Sequence, residues 1–234
     1  MLFRQLFDPE SSTYTYLLGD EQSRQAVLID PVREQLDRDV KLLHELGLTL
    51  DVVLETHIHA DHVTAAGLLR ERLKCRTGAG TLAAPCVDLH MKHGEVLKVG
   101  ALEIRVLATP GHTDDSVSYL VGNRVFTGDA LLIRGNGRTD FQNGNASDLY
   151  DSITRVLFSL PDDTEVYPAH DYKGMTSTTI GEEKRHNPRV AGKTREQFME
   201  IMANLNLPPP KKIHEAVPAN RACGLPSPPS APHG

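Results

Sequence analysis

The stretch Thr56–His62, THIHADH, decides how the rest of this chain is interpreted. It places three histidines and one aspartate close together: His57, His59, Asp61 and His62. Neutral imidazole nitrogens and a carboxylate oxygen are ligands that divalent transition metals accept, whereas clustered imidazoles without a cation repel each other once they are protonated. The stretch therefore predicts a metal site, and the alternative is a solvated polar loop with chance histidines.

The elements around this stretch predict a layered fold. Glu34–Leu46 has helical periodicity with Gly47 as its C-terminal cap, and Asp51–Leu54 is a short apolar strand. Further helices are predicted over Val63–Leu73 and Asp148–Leu160. An order of strand, helix and strand indicates a crossover unit, and sites in such folds lie beyond strand ends.

Three later junctions repeat the pattern of a strand followed by a polar residue. His112 follows an alternating strand and a Pro-Gly turn, Asp129 follows a predicted hairpin, and His170 follows the strand Glu165–Tyr167. Taken alone, these residues could be a turn residue, a helix N-cap and a packed core histidine. Because all of them share the pattern of the first stretch, we expect the loops to converge.

Composition restricts the classes of protein. The chain has 234 residues, which fits one large domain or a domain with a short appendage, and it is 39% hydrophobic and 24% charged. A net charge of -6 without a long basic run argues against nucleic-acid binding, and no apolar run is long enough for a membrane span. The N-terminus lacks a signal-peptide pattern, which predicts a cytoplasmic protein; the sequence leaves the oligomeric state open, with a homodimer as one alternative.

The cysteines and the C-terminal residues carry weaker signals. Cys75, Cys86 and Cys223 are too few and too scattered for a disulfide framework, so we interpret the first two as structural and Cys223 as a buried bystander, with a catalytic role as the alternative. Thr194–Leu205 is predicted to be a helix with a capping box. Residues 1–207 are predicted to form the catalytic domain, and residues 208–234 a Pro-rich tail that packs partly on it and is mobile over its last ten residues.

Together these motifs resemble the metallo-β-lactamase fold superfamily. The resemblance rests on four motifs in order: H-x-H-x-D-H at 57–62, Gly111-His112, Gly128-Asp129 and Ala169-His170. It implies an α/β fold, a four-layer αββα sandwich with the metal at one edge of the two sheets. Fold alone does not fix the chemistry, since hydrolases and redox enzymes share this scaffold.

Finer motifs are similar to those of the ETHE1-like persulfide dioxygenases. They are Gly128–Gly144 (GDALLIRGNGRTDFQNG), Tyr167–Gly174 (YPAHDYKG), Asn187-Pro188-Arg189 and Pro218-Ala219-Asn220. The resemblance implies one Fe(II) per chain, held by His57, His112 and Asp129. Four further residues would orient these ligands through hydrogen bonds: His59, Asp61, His62 and His170. Two-metal hydrolases of the superfamily use those four as ligands, so the motifs alone leave a dinuclear zinc site open.

The same resemblance implies that glutathione persulfide, O2 and water are converted to glutathione and sulfite. Glutathione carries two carboxylates, so we predict Arg138 as a carboxylate clamp and Tyr172 as a second substrate contact. The alternative role for Arg138 is a structural ion pair with Asp140 or Asp129. Asp171 is interpreted as a structural hydrogen-bond partner.

Two departures from the family pattern bear on the substrate pocket. Asn136 stands where a cysteine is common, and Asp114-Asp115 replaces a Pro-Gly or Asn-Gly turn. The main alternative function is a glyoxalase II-type hydroxyacylglutathione thioester hydrolase with a dinuclear metal site. A third class is a non-enzymatic, metal-stabilised binding protein.

Overall fold

A computed structural model describes residues 1–210 and 212–225 of the chain. Two six-stranded sheets form the centre of the fold. The first sheet has its strands in chain order, from β1 to β6. These strands are Leu2–Asp8, Thr13–Gly19, Gln25–Ile29, Thr49–Leu54, Arg76–Gly80 and Leu89–Met91. Strands β1 to β3 are antiparallel, and β3 to β6 are parallel, as crossover connections require.

The second sheet has the order β12-β11-β10-β9-β8-β7. Its strands, from β7 to β12, are Val96–Val99, Leu102–Ala108, Val117–Val121, Arg124–Gly128, Glu165–Pro168 and Thr178–Thr179. Strands β10 and β11 pair in parallel, and all other pairs in this sheet are antiparallel. The parallel pair is what brings the ends of β10 and β11 to the same edge.

Alternating side chains on β2 show how the layers are built. Tyr14, Tyr16 and Leu18 face the core between the sheets, whereas Leu17 faces the outer core with the helices. Because all seven residues of this strand are buried, both faces of the first sheet are covered. The predicted αββα sandwich is confirmed.

Within residues 1–210 and 212–225, six α-helices lie around the two sheets. In chain order, α1 to α6 are Leu36–Glu45, Ala66–Leu73, Ala146–Asp151, Ile180–His186, Arg195–Ala203 and Ile213–Asn220. Helices α1 and α2 cover the first sheet through Val40, Leu43 and Leu69. Helices α3 and α5 cover the second sheet through Leu149 and Phe198. Among the described residues, no helix combines the length and apolar character needed to cross a bilayer.

Two predicted helices differ from the observed ones in their bounds. The helix predicted from Val63 begins at Ala66, because Thr64 forms an isolated antiparallel β-bridge with Val32. The helix predicted over Asp148–Leu160 begins at Ala146 and continues after α3 as a π-helical turn and a 3-10 turn. The capping box of Thr194 is confirmed.

The C-terminal residues contain more structure than the Pro-rich composition indicates. Helix α6 includes Pro218, and Ala216, Asn220 and Cys223 are buried. Sequence analysis missed this helix because Pro208–Pro210 precede it and Pro218 lies inside it. The predicted mobility concerns the last ten residues. Of these, residues 226–234 lie outside the described part of the chain.

A disulfide joins Cys86 to Cys223, with their Cα atoms 5.9 Å apart. Interpreting Cys223 as a bystander thiol was therefore wrong. The separation of 137 positions hides this pairing in the sequence, because only the folded chain brings the two cysteines together. Cys75 is a buried free thiol.

Candidate metal centre

The four predicted ligand-bearing loops converge at one edge of the sandwich. His57 follows β4 in the first sheet, whereas His112, Asp129 and His170 follow β8, β10 and β11 in the second. An isolated β-bridge between Thr13 and His170 ties the two sheets together at this edge. The site therefore lies across the opening between the sheets.

His57, His112 and Asp129 form one compact group. One potential ligand atom from each lies within 4.8 Å of the others. The Nε2 atom of His112 is 3.7 Å from Oδ2 of Asp129, and the rings of His57 and His112 have centroids 4.9 Å apart. Two imidazoles and one carboxylate make the donor set of a non-haem Fe(II) centre that keeps open positions.

The orientation of His57 is set by two side chains beneath it. Asp30 accepts hydrogen bonds from the backbone N–H of Thr56 at 2.7 Å and from its hydroxyl at 2.8 Å. The same hydroxyl lies 2.9 Å from Nδ1 of His57, so it accepts the Nδ1–H and leaves Nε2 free for a metal. Burial, followed by the neighbouring charge of His59, holds the pKa of His57 well below its ordinary value. His57 is thus neutral, as a metal ligand must be.

His112 is oriented by backbone. Its Nδ1 atom donates to the carbonyl oxygen of Arg138 at 2.6 Å, and its Nε2 atom faces Asp129. Gly137 allows this approach, because a Cβ atom there would lie 2.7 Å from Nδ1 of His112. Gly128 has a φ of +55°, and a Cβ atom there would lie 2.7 Å from the hydroxyl of Thr56. Gly137 thus leaves room for the imidazole of His112, and Gly128 leaves room for the side chain of Thr56.

His170 links two carboxylates. Its Nδ1 atom lies 2.6 Å from Oδ1 of Asp129, and its Nε2 atom lies 2.9 Å from Oδ2 of Asp61. Burial alone would lower the pKa of His170, but these two carboxylates outweigh it and raise the pKa well above the ordinary value. Burial alone would raise the pKa of Asp129, but the charge of His170 holds it below the ordinary carboxyl range. His170 is therefore a cation that orients Asp129.

A second group of potential ligand atoms surrounds Asp61. These atoms, again within 4.8 Å of one another, belong to His59, Asp61, His62 and His170. Oδ2 of Asp61 is 2.9 Å from Nδ1 of His62 and 3.2 Å from the hydroxyl of Thr13. Among the described residues, both ring nitrogens of His59 and Nε2 of His62 lack hydrogen-bond partners. The group has the donors for a second cation.

The charge environment distinguishes His59 from His57. Nε2 of His59 lies 3.2 Å from Oδ1 of Asp30 and 3.7 Å from a carboxylate oxygen of Glu55. Burial lowers the pKa of His59, but Asp30 and then the other nearby carboxylates outweigh it and raise the pKa. Nε2 of His59 thus lies beside two carboxylates, whereas His57 belongs to the group with His112 and Asp129.

The predicted substrate contacts lie at the margin of the site. The guanidinium of Arg138 forms a two-bond ion pair with Asp140, at 2.6 and 2.7 Å, and donates to the carbonyl oxygens of Leu207 and Pro208. The alternative structural role of Arg138 is thus observed, and the carboxylate clamp stays a prediction. Tyr172 is 71% exposed and lies parallel to the ring of His170, with centroids 6.1 Å apart.

Asp171, interpreted as structural, and the departures Asp115 and Asn136 each form hydrogen bonds within the protein. Asp171 accepts hydrogen bonds from the backbone N–H groups of Lys173 and Met175, as a structural residue would. Asp115 accepts from the backbone N–H of Ile58 at 3.0 Å and so holds the loop between His57 and His59. Asn136 is buried, and its amide lies 3.2 Å from the sulfur of Met202.

Sequence analysis missed several residues that support the site, chiefly Thr13, Asp30 and Asn220. Asp30 itself follows a strand and carries the same signal as the predicted ligands. Asn220 was part of the motif Pro218-Ala219-Asn220. Its contacts with residues 57–64, called the metal loop below, could not be predicted from that motif. The backbone between His59 and Thr64 is held by this one amide side chain.

Known proteins similar to this chain agree with the geometry. The metallo-beta-lactamase superfamily matches over residues 8–86 and 83–170. "Persulfide dioxygenase ETHE1, mitochondrial" of Mus musculus is 49% identical over 233 residues, which cover 98% of this chain and 91% of that protein. The Homo sapiens protein of the same name is 49% identical over 231 residues, with 97% and 91% covered. The crystal structure of ETHE1 from Myxococcus xanthus superimposes with a TM-score of 0.95 at 68% identity, covering 96% of this chain and 100% of that one.

Proposed function

The chain belongs to the persulfide dioxygenases of the metallo-β-lactamase superfamily, and from this premise we propose that it oxidises glutathione persulfide at a single Fe(II). The balanced reaction is GSSH + O2 + H2O giving GSH, sulfite and two protons. The outer sulfur loses four electrons, and O2 gains them. The observation that carries the proposal is the group of His57, His112 and Asp129, with ligand atoms within 4.8 Å of one another.

The donor set suits the metal of this proposal. His57 and His112 would bind through Nε2, and Asp129 through Oδ2, since the other atom of each side chain is engaged by Thr56, Arg138 or His170. When bound, Fe(II) supplies the one-electron chemistry by which O2 reacts with a sulfur anion. Three protein ligands leave positions for a substrate and O2.

The protein's own charges favour an anionic substrate. Asp61 and Asp129 would repel a persulfide anion if they were not compensated. The imidazolium of His170, which lies within 3 Å of both carboxylates, offsets this negative charge. His170 therefore holds a proton between Asp129 and Asp61 and keeps Oδ2 of Asp129 turned toward His112.

The second candidate function is the thioester hydrolase with two metals. It is favoured by the second group of donors, His59, Asp61, His62 and His170. Against it, Asp61 and His170 already bond to each other, and the nearby carboxylates raise the pKa of His59. We therefore propose one metal per chain, with the second group acting through hydrogen bonds on the first.

Three measurements on the same preparation test the proposal. An oxygen electrode should record O2 uptake when glutathione persulfide is added, with sulfite formed in equal amount. S-lactoylglutathione should not be hydrolysed under anaerobic conditions. Elemental analysis of protein purified without added metal should give about one iron per chain. Thioester hydrolysis with two metals per chain and no O2 uptake would instead support the second function.

A non-enzymatic metal-stabilised protein is the remaining alternative. It would bind one metal, yet show neither O2 uptake nor thioester hydrolysis. The cytoplasmic location and the homodimer stay predictions. The mammalian relatives are named as mitochondrial proteins.

A further inference from the structure

One side chain from the C-terminal helix α6 holds the metal-ligand loop in place. Asn220 is buried, and its Oδ1 atom accepts the backbone N–H of Thr64 at 2.8 Å. Its Nδ2 atom donates to the carbonyl oxygens of His59 and His62, both at 2.9 Å. Three hydrogen bonds from one amide thus fix the backbone that presents the second half of the H-x-H-x-D-H motif.

The end of α6 is in turn fastened to the body of the protein beside this amide. Cys223, three residues after Asn220, forms the disulfide with Cys86, in the segment that links β5 and β6. The carbonyl oxygen of Cys223 also accepts the backbone N–H of Gly67 in α2, at 2.8 Å. A Cβ atom at residue 67 would lie 2.6 Å from that oxygen, so the contact is tight.

Cys223 of the disulfide and the metal ligand His57 line the same small cavity. It is lined mainly by apolar groups, and its walls include His57, Ile58, Ala79, Val87, Asn220 and Cys223. A displacement of Cys223 would therefore change the packing around the metal ligand His57 and around the amide of Asn220.

We propose that the Cys86–Cys223 disulfide is a redox-controlled latch that keeps Asn220 against the metal loop. In the oxidised protein the latch holds α6 on the domain. A small thiol reductant opens it: the S–S bond breaks, both cysteines become thiols, and two reductant thiols join as a disulfide. Cys86 is only partly buried, whereas Cys223 is 2% exposed, so the reductant attacks the sulfur of Cys86 and Cys223 leaves as the thiolate.

Opening the latch leaves α6 held only by non-covalent contacts. The disulfide closes a loop of more than a hundred residues, so its loss lets the C-terminal segment detach more often. Each detachment removes the three hydrogen bonds of Asn220 from the metal loop. Within the described residues, Asn220 is hydrogen-bonded to none of the three ligands; it acts through the loop that carries Asp61, which bonds to His170 and through it holds Asp129.

The test measures metal release from the full-length protein without turnover, so it does not depend on the reaction proposed above. Protein loaded with Fe(II) is kept under argon, oxidised or reduced with a phosphine, and the transfer of iron to a chromogenic chelator is timed. Non-reducing peptide mapping establishes the state of the two cysteines. We expect release to be roughly ten-fold faster from the reduced protein.

Variants separate the latch from a general effect of the reductant. Cys86→Ser should release iron at the fast rate and ignore the reductant, and Asn220→Ala should release it fast in both redox states. Cys75→Ser, which removes the buried free thiol, should behave as the unaltered protein. Equal release from the oxidised and reduced proteins would overturn the proposal, as would free Cys86 and Cys223 thiols in air-oxidised protein. The comparison of the two redox states stands even if a variant fails to fold.

Discussion

The hydroxyl of Thr56 lies 2.9 Å from Nδ1 of His57, and the same hydroxyl donates to Asp30. A residue without ligand function of its own thus fixes which nitrogen of His57 faces the metal. We predict that Thr56→Val, which keeps the shape but removes the hydroxyl, weakens metal binding by about ten- to a hundred-fold. A metal titration of the apo-protein measures this change.

Two controls accompany this variant. Thr56→Ser retains the hydroxyl and should bind metal within about two-fold of the unaltered protein. Thr49→Val makes the same substitution at an exposed position of β4 and should have no effect on binding. If Thr56→Val bound metal normally, the hydroxyl would not be what orients His57.

Removal of a ligand should cost more than removal of its support. We predict that His57→Ala and Asp129→Ala lose stoichiometric iron, because each leaves only two ligands in the first group. The iron content of purified protein measures this, and His44→Ala, at an exposed position of α1, is the matched control. Full activity and retained iron in His57→Ala would contradict the ligand assignment.

Asp39 gives a pH dependence of stability that is independent of the metal. Burial raises its pKa from 3.8 to about 6, although Arg38 beside it acts in the opposite direction. The folded state therefore binds a proton more tightly than the unfolded state, so stability falls as the pH rises from about 4 to about 6 and is then level. We predict that Asp39→Asn removes this fall and raises the free energy of unfolding at pH 7 by on the order of 3 kcal/mol.

Urea unfolding at pH 5 and pH 7.5 checks the sign. The advantage of Asp39→Asn should be larger at the higher pH, where the aspartate is charged in both states. Asp37→Asn, on the exposed side of the same helix, should show a small difference that does not follow this trend. An equal advantage at both pH values would show that the effect is not the ionisation of Asp39.

Arg138 separates a substrate contact from a structural ion pair. Arg138→Ala should raise KM for glutathione persulfide roughly ten-fold, which corresponds to about 1.4 kcal/mol of binding, with kcat nearly unchanged. Asp140→Asn breaks the same ion pair but keeps the guanidinium, and it should leave KM within about two-fold. If both variants only lower the melting temperature, Arg138 serves the fold and not the substrate.

The parts of the site that sequence analysis identified share a local signal. His57, His112, Asp129 and His170 each follow a strand directly, so the parallel and antiparallel pairing of the sheets carries all of them to one edge. Apolar runs and alternation likewise predicted the strands that precede these residues. These features depend on neighbours in the chain and could be predicted without coordinates.

The parts that were missed depend on contacts between distant residues. Asn220 and Thr64 are 156 positions apart, and Cys86 and Cys223 are separated by 137. For Arg138 the sequence supplied a charge, but packing decided that Asp140 lies beside it. The start of α2 at Ala66 also depends on a distant contact, the β-bridge between Thr64 and Val32.

The division of the ligands between the two sheets has a consequence for biosynthesis. The first sheet contributes only His57 to the group of three, and the second contributes His112 and Asp129. A ribosome that has released only the residues of the first sheet has therefore made a single ligand of this group. The group of three can hold a metal tightly only after translation has passed Asp129, and a fragment that carries one sheet alone should be unable to retain the ion.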